Sequence, residues 1–268
     1  MSLIEAIILG IVQGFTEFLP VSSSGHIELV KAIQNTEIEE NLLFTVFLHL
    51  ATAFSTIVVF RKDLVQIIKG ILSFKWNEET KFAWYVVISM IPAALVGLFL
   101  KDQIEEFFDR NILLVGFMLL LTGALLFISD RVKNNQTKEL DTKKSAIMGI
   151  VQAIAILPGI SRSGSTIVAG VLLGLPRNKA ARFSFIMVLP LILGAGAKSF
   201  KDFLDLSEGA QASSPIFEMS MGFIAAFISG LFAIKWMIKL VENSRLSWFA
   251  YYCFIVGVVA VSYSFLQG

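Results

Sequence analysis

Cysteine and charge are both scarce in this chain: one thiol, Cys253, and 16% charged residues over 268 positions. Cys253 lies in an apolar run, so an intramolecular disulfide framework and a cysteine-based metal site are both excluded, and the residue reads as a small buried hydrophobe. A net charge of +1 leaves no basic or acidic field that would point to nucleic acid or to an acidic partner. No Lys or Arg precedes the first apolar stretch and no small-residue cleavage site follows it, so residues 1–19 are not read as a removable signal peptide. What the chain has in quantity is apolar surface: 56% of residues are hydrophobic and the mean hydropathy is +0.75. An ordinary soluble domain carries about 25% charged residues. A bilayer is the solvent this composition suits.

Crossing about 30 Å of hydrocarbon takes about 20 residues of helix. Six stretches qualify, near 42–60, 82–100, 112–129, 183–200, 217–237 and 248–266. Two further apolar regions, 3–33 and 145–175, are interrupted midway by LPVSSSGH (Leu19 to His26) and LPGISRSGST (Leu157 to Thr166). Lipid cannot satisfy the hydrogen bonds of non-helical backbone, so such breaks must be buried in protein or line a wet cavity. Both regions are therefore predicted to be re-entrant helix-break-helix hairpins. If 42–60 runs from outside to inside, the inner loops collect Arg61, Lys62, Lys69, Lys75, Lys81, Arg131, Lys133, Lys138, Lys143, Lys144, Arg177, Lys179, Arg182, Lys235, Lys239 and Arg245. Only Lys31, Lys101, Arg110, Lys198 and Lys201 fall outside, with Arg162 inside a hairpin. This positive-inside bias places both termini outside, with the first hairpin entering from the outer face and the second from the cytoplasm.

Shifting the chain against itself by 139 residues aligns Gly10, Gln13, Ser22, Ser24 and Gly25 with Gly149, Gln152, Ser161, Ser163 and Gly164. The same shift aligns Lys62-Asp63 with Lys201-Asp202, and a shorter one aligns Ala93-Ala94 with Ala225-Ala226. The chain is read as one all-α polytopic membrane domain over 1–268. Its pseudo-repeats cover about 1–130 and 145–268, joined by a cytoplasmic linker at 130–144. Each half holds one hairpin and three crossings; three is odd, so the second half is inverted. Inverted repeats with broken helices put their site near the midplane, between the halves.

Gln13 and Glu17 are four apart, on one face of the first hairpin helix, just before Pro20. A carboxylate inside a bilayer costs at least about 2.5 kcal/mol, so its default reading is functional. It can hold a divalent cation, with Gln13 adding a neutral oxygen, or handle a proton. Ser22, Ser23, Ser24, Gly25 and His26 follow, where small residues at a helix N-terminus make an anion site; the serines could equally cap the helix. His26 is a candidate nucleophile or general base, and Ser23 a competing nucleophile if His26 activates it. Arg162 stands between Ser161 and Ser163, and with Gly164, Ser165 and Thr166 it forms a second anion cradle. The alternative for Arg162 is a structural pair with Glu17.

Other polar positions carry less. His49, Thr52 and Ser55 share one face of the 42–60 span and border the cavity or pack between helices, with packing the preferred reading. Glu28 is placed at the outer mouth and Glu5 at the interface. Gly194-Ala195-Gly196 and Gly222 are read as close helix packing, and the charged cytoplasmic loops as solvated connectors.

The runs from Gln13 to His26 (QGFTEFLPVSSSGH) and from Pro158 to Thr166 (PGISRSGST) resemble the two signature motifs of the bacterial undecaprenyl-diphosphate phosphatase family, BacA/UppP, linked to bacitracin resistance. The resemblance implies hydrolysis of undecaprenyl diphosphate to undecaprenyl phosphate and inorganic phosphate, recycling the lipid carrier of cell-wall synthesis in the cytoplasmic (inner) membrane. It implies Glu17, Ser23, His26 and Arg162 as catalytic residues. Ser22, Gly25, Ser161, Ser163, Gly164 and Thr166 would bind phosphate. It also implies a divalent cation, Mg2+ or Ca2+, at Glu17 with Gln13; the family motif takes Glu or Gln, three residues, then Glu, and Gln13 is the Gln form. The partners are a prenyl diphosphate lipid in a groove between the halves and the surrounding membrane lipids, with room for a homodimer, and the phosphate site opens to the outer face. The alternative is a transporter or flippase of a phosphorylated lipid or small anion, since inverted repeats also build carriers.

Overall fold

A computed structural model describes residues 2–34, 41–100, 111–131, 138–205, 216–242 and 246–267. Lys101, Arg110, Lys133 and Arg245 of the charge pattern lie outside the described residues. Every regular element described is a helix.

The first hairpin is α1 (Leu3–Thr16) and α2 (Ser23–Gln34). Glu5 belongs to a capping box that opens α1: Ser2 Oγ accepts from the Glu5 N–H at 3.3 Å, and the Ser2 N–H donates to Glu5 Oε2 at 2.7 Å. The second hairpin is α7 (Thr142–Ile154) and α8 (Arg162–Leu172), with Asp141 capping α7 by accepting from the Lys144 N–H at 2.8 Å. The Lys144 ammonium also pairs with Asp141 and holds its carboxyl below the usual carboxylate range. The breaks, at 17–22 and 155–161, overlap the expected runs 19–26 and 157–166, but each begins two residues earlier and ends within the serine-rich run, where the second helix of each hairpin already starts. Proline lacks the N–H that would continue each helix.

Between and after the hairpins run α3 (Asn41–Val59), α4 (Arg61–Leu72), α5 (Glu78–Phe99), α6 (Ile112–Asp130), α9 (Arg177–Met187), α10 (Leu189–Leu204), α11 (Ile216–Glu242) and α12 (Ser247–Gln267). Among the described residues five helical runs are long and apolar enough to cross a bilayer: α5, α6, residues 177–201 of α9 and α10, α11 and α12. The span expected at 183–200 starts earlier and is interrupted at Val188, two residues before Pro190. The span expected at 42–60 is the first arm of a bent pair, since α4 leaves α3 at 79°. Arg61, Lys62 and Asp63 end the apolar run there. Beyond them Val65, Ile68 and Leu72 are exposed along one stripe of α4, the pattern of a helix lying in a membrane interface. Large exposed apolar side chains such as Leu98, Phe232 and Ile255 ring the long helices, as lipid contact requires.

Small residues let the hairpins approach their neighbours. Along α1, a Cβ added to Gly14 would lie 1.9 Å from Ser229 Oγ, and one on Gly10 would lie 2.3 Å from the Gly222 carbonyl, so α1 packs directly on α11. Along α7, a Cβ on Gly149 would lie 2.5 Å from the Ser89 carbonyl, so α7 packs on α5. The first hairpin thus packs on a long helix near the far end of the chain, and the second on a long helix that precedes it in sequence. Helices α6 and α12 meet at Gly116, Gly123 and Gly257. Gly222 and Gly196 are closely packed as expected, against Phe44 and Leu50, but Gly194 faces open space and does not belong with them.

One expectation for the charged loops is overturned. Arg177 is buried, donating to Asp130 Oδ1 at 3.0 Å and to the Ser129 carbonyl at 3.1 Å, while the Ser247 N–H donates to Asp130 Oδ2 at 2.6 Å. This residue ties the ends of α6, α9 and α12 together; it is not a solvated connector.

Candidate active site

The two breaks meet tip to tip. A Cβ on Gly25 would lie 3.1 Å from Gly159 Cα, and one on Gly164 would lie 3.0 Å from Pro20 Cβ, so a larger residue at either would press on the facing turn. Ser163 Oγ crosses between the hairpins to donate to the Leu19 carbonyl at 3.4 Å. Gly159 has φ +88°, in the left-handed region that favours glycine, and its turn is clamped by Thr122 of α6. The Thr122 hydroxyl donates to the Gly159 carbonyl at 3.3 Å and accepts from the Ser161 N–H at 3.1 Å.

The serines do repeated work. Ser22 Oγ accepts from the Gly25 N–H at 3.2 Å, and Ser161 Oγ accepts from the Gly164 N–H at 3.0 Å, so the same helix cap recurs in both hairpins. Helix geometry leaves the other first-turn N–H groups of α2 and α8 without an intrahelical acceptor, and the positive dipole ends of both helices converge on the junction. That is the disposition of an anion site. Ser22 itself has φ +70°, a left-handed conformation that costs a serine about 1 to 3 kcal/mol and marks a held loop.

Glu17 is the centre of the polar cluster. Arg162 pairs through Nη2 with its Oε1, Ser23 Oγ donates to Oε2 at 2.7 Å, and Gln13 Nε2 donates to the same oxygen at 3.0 Å. His49 Nε2 stands 3.7 Å from Oε2. The Glu17–Arg162 pair therefore forms, but shares its carboxylate with a serine hydroxyl and an amide, which a simple structural pair would not need. Arg162 Nη1 also donates to the Ser184 carbonyl at 3.4 Å, and Thr166 bonds Ser184 Oγ at 2.6 Å and donates to the Arg162 carbonyl at 2.8 Å. Ser165 Oγ is buried without a hydrogen-bond partner among the described residues.

His26 is turned to other partners. Its Nδ1 lies 2.8 Å from the Ser22 carbonyl and its Nε2 lies 2.7 Å from the Tyr252 hydroxyl. The acceptor of the Ser23 proton is thus Glu17, where the sequence suggested His26. The expected face of α3 divides: Ser55 donates to the Phe227 carbonyl at 2.8 Å and packs α3 on α11, whereas His49 borders the site. Glu28 pairs with Lys31 at 3.1 Å on α2. Thr122, Ser184 and Tyr252 are contacts that sequence reasoning missed; the first two are isolated hydroxyls in apolar spans, and Tyr252 follows another tyrosine in a helix rich in aromatics.

Toward a divalent cation the donor set is short. Both oxygens of Glu17 already carry donors, and among the described residues no grouping of three or more His, Cys, Asp or Glu could hold a metal. Gln13 Oε1 is a buried acceptor without a partner among the described residues. Ca2+ takes six to eight oxygens and Mg2+ six, commonly with waters and substrate phosphates among them, so Glu17 and the Gln13 amide oxygen would supply only part of a shell.

Residues 6–259 match the family described as bacitracin resistance protein BacA. The chain is 56% identical, over all of its length and all of the other's, to a protein of Christiangramia forsetii named undecaprenyl-diphosphatase. It is 47% identical, again over the whole of both chains, to one of the same name from Parabacteroides distasonis. A third of that name, from Methanobrevibacter smithii, is 41% identical over 97% of this chain and 96% of the other.

Proposed function

The chain belongs to the bacitracin resistance protein BacA family, and from that premise and the Glu17 cluster we infer that it is an undecaprenyl-diphosphatase. It is a hydrolase of a multi-pass membrane protein type that releases the terminal phosphate of undecaprenyl diphosphate. The observation that carries the chemistry is the 2.7 Å hydrogen bond from Ser23 to Glu17.

In this reading the diphosphate enters the junction of the two hairpins and draws the Arg162 guanidinium onto its oxygens. Glu17 loses its cationic partner and becomes the base for Ser23. Ser23 Oγ attacks the terminal phosphorus, its proton passes to Glu17, and the bond from phosphorus to the bridging oxygen breaks. Undecaprenyl phosphate leaves, and Arg162 with the N-termini of α2 and α8 balances the charge on the equatorial oxygens. Water then attacks the phosphoserine; Glu17 gives the proton it holds to the departing Ser23 oxygen, which restores its carboxylate, and the water's oxygen and protons leave in the inorganic phosphate. Thr166 and Ser184 hold Arg162 for this task, Ser163 joins the hairpins, and the caps at Ser22 and Ser161 hold Gly25 and Gly164. Mg2+ or Ca2+ is proposed to enter as the counter-ion of the diphosphate, as part of the substrate.

We further propose the architecture of two inverted halves, about 1–130 and 145–268, with α3, the first arm of the bent pair, as the sixth crossing. The reciprocal packing of α1 on α11 and of α7 on α5 supports it. The charge distribution supports a cytoplasmic-membrane location, both termini outside, and a site open to the outer face.

Detergent-purified protein should release phosphate from a prenyl diphosphate, and Arg162→Ala and Glu17→Ala should each lose about a thousandfold in turnover. Full turnover in both variants would overturn the enzyme reading. Transbilayer movement of the lipid without phosphate release would favour a carrier instead.

A further inference from the structure

We propose that Tyr252 is a positioning residue of this site: its hydroxyl locks the His26 imidazole, and through it the Ser22 carbonyl, so that Ser23 stays aimed at Glu17. The proposal rests on the phosphatase reading and adds a residue from α12, near the far end of the chain.

The hydrogen-bond directions follow from the partners. The Ser22 carbonyl can only accept, so Nδ1 of His26, 2.8 Å away, carries the hydrogen. In the neutral ring Nε2 then holds the lone pair, and the Tyr252 hydroxyl, 2.7 Å away, donates to it. The two rings lie side by side, 11° from parallel with centroids 5.5 Å apart, so the contact is set by packing as well as by the hydrogen bond. No carboxylate of the described residues bonds to this imidazole, which leaves the neutral form the natural one.

What the imidazole holds is a strained turn. Ser22 has φ +70°, and its carbonyl accepts twice from His26, from Nδ1 and from the backbone N–H at 3.1 Å. Its side chain meanwhile caps Gly25. Ser23 is the next residue, so its aim at Glu17 depends on a left-handed neighbour that serine does not adopt unaided. The chain Tyr252 to His26 to Ser22 supplies the aid. It also occupies Nε2, the nitrogen a phosphohistidine would need, which keeps His26 as a clamp and leaves attack to Ser23.

The test is Tyr252→Phe, which keeps the ring and removes the hydroxyl. Turnover should fall about tenfold with KM within about twofold of wild type, because Tyr252 orients the nucleophile without touching phosphate. In a Ser22→Asn background, where the residue tolerates φ > 0 and still caps a helix, the same substitution should cost much less. The chain has two histidines, so protein labelled with [15N]histidine gives two imidazoles, and His26→Asn assigns them. Wild type should show His26 protonated at Nδ1 with a hydrogen-bonded Nε2, and Tyr252→Phe should move only the Nε2 resonance. Unchanged turnover in Tyr252→Phe, an unmoved Nε2 resonance, or a phosphohistidine trapped at position 26 would each overturn the proposal while wild-type turnover stands. Absence of phosphate release by wild type would instead overturn the phosphatase reading beneath it.

Discussion

Ser23 and Glu17 come from opposite sides of a helix break, yet the Ser23 hydroxyl donates to Glu17 Oε2 at 2.7 Å. A hydroxyl bonded to a carboxylate has its proton already directed at a base. Ser23→Ala should therefore abolish the covalent intermediate: quenched wild-type protein should carry phosphoserine at position 23, and the variant none. Label on His26 in place of Ser23 would show that the observed bond is not the one used.

Arg162 and Glu17 form a pair with little access to solvent, and the two ends of that pair are not equivalent to lose. Arg162→Ala strands a buried carboxylate, a loss of about 3 to 5 kcal/mol. Glu17→Gln combined with Arg162→Ala removes the stranded charge. The double variant should melt higher than Arg162→Ala alone, though both are inactive; equal melting temperatures would mean the pair is not buried in the folded protein.

Packing makes a sharper distinction among glycines. Gly14→Leu and Gly149→Leu place side chains where backbone atoms of α11 and α5 already lie, and should lower stability by about 1 to 3 kcal/mol or more, or block folding. Gly194→Ala meets open space and should retain wild-type melting and turnover. Thermal unfolding in detergent reads all three.

Chelation separates a cation held by protein from one carried by substrate. EDTA should lower turnover, with added Mg2+ or Ca2+ restoring it, while the melting temperature of substrate-free protein stays unchanged, because the donor set is short of a cage. A clear rise in melting temperature on adding either cation without substrate would locate the ion on the protein.

Much of the fold is legible in the chain. The apolar runs locate α5, α6, α11 and α12 within a few residues, because a helix that must cross hydrocarbon has to be apolar over its whole length. The breaks at Pro20 and near Pro158 are equally plain, since proline and clustered hydroxyls cannot continue a lipid-facing helix. The 79° turn between α3 and α4 is harder to see, because a charged residue ending an apolar run marks the boundary without giving a direction. Gly194 and Gly196 look alike in sequence but differ in the fold for a related reason: a small residue permits close approach, and whether a neighbour arrives depends on the helix opposite.

The candidate site divides in the same way. Composition and motif alone determined that the protein is membrane-borne, and they singled out the two hydroxyl-rich breaks, Glu17 and Arg162 as the polar groups to look for. Tertiary structure decided who partners whom. Local spacing put His26 beside Ser23, but the folded chain turns His26 toward Tyr252, 226 residues away in sequence, and gives the Ser23 proton to Glu17. Hydrogen bonds of a few ångströms depend on how helices cross, and helix crossing is set by glycines and side-chain volumes on distant segments, which no local pattern records.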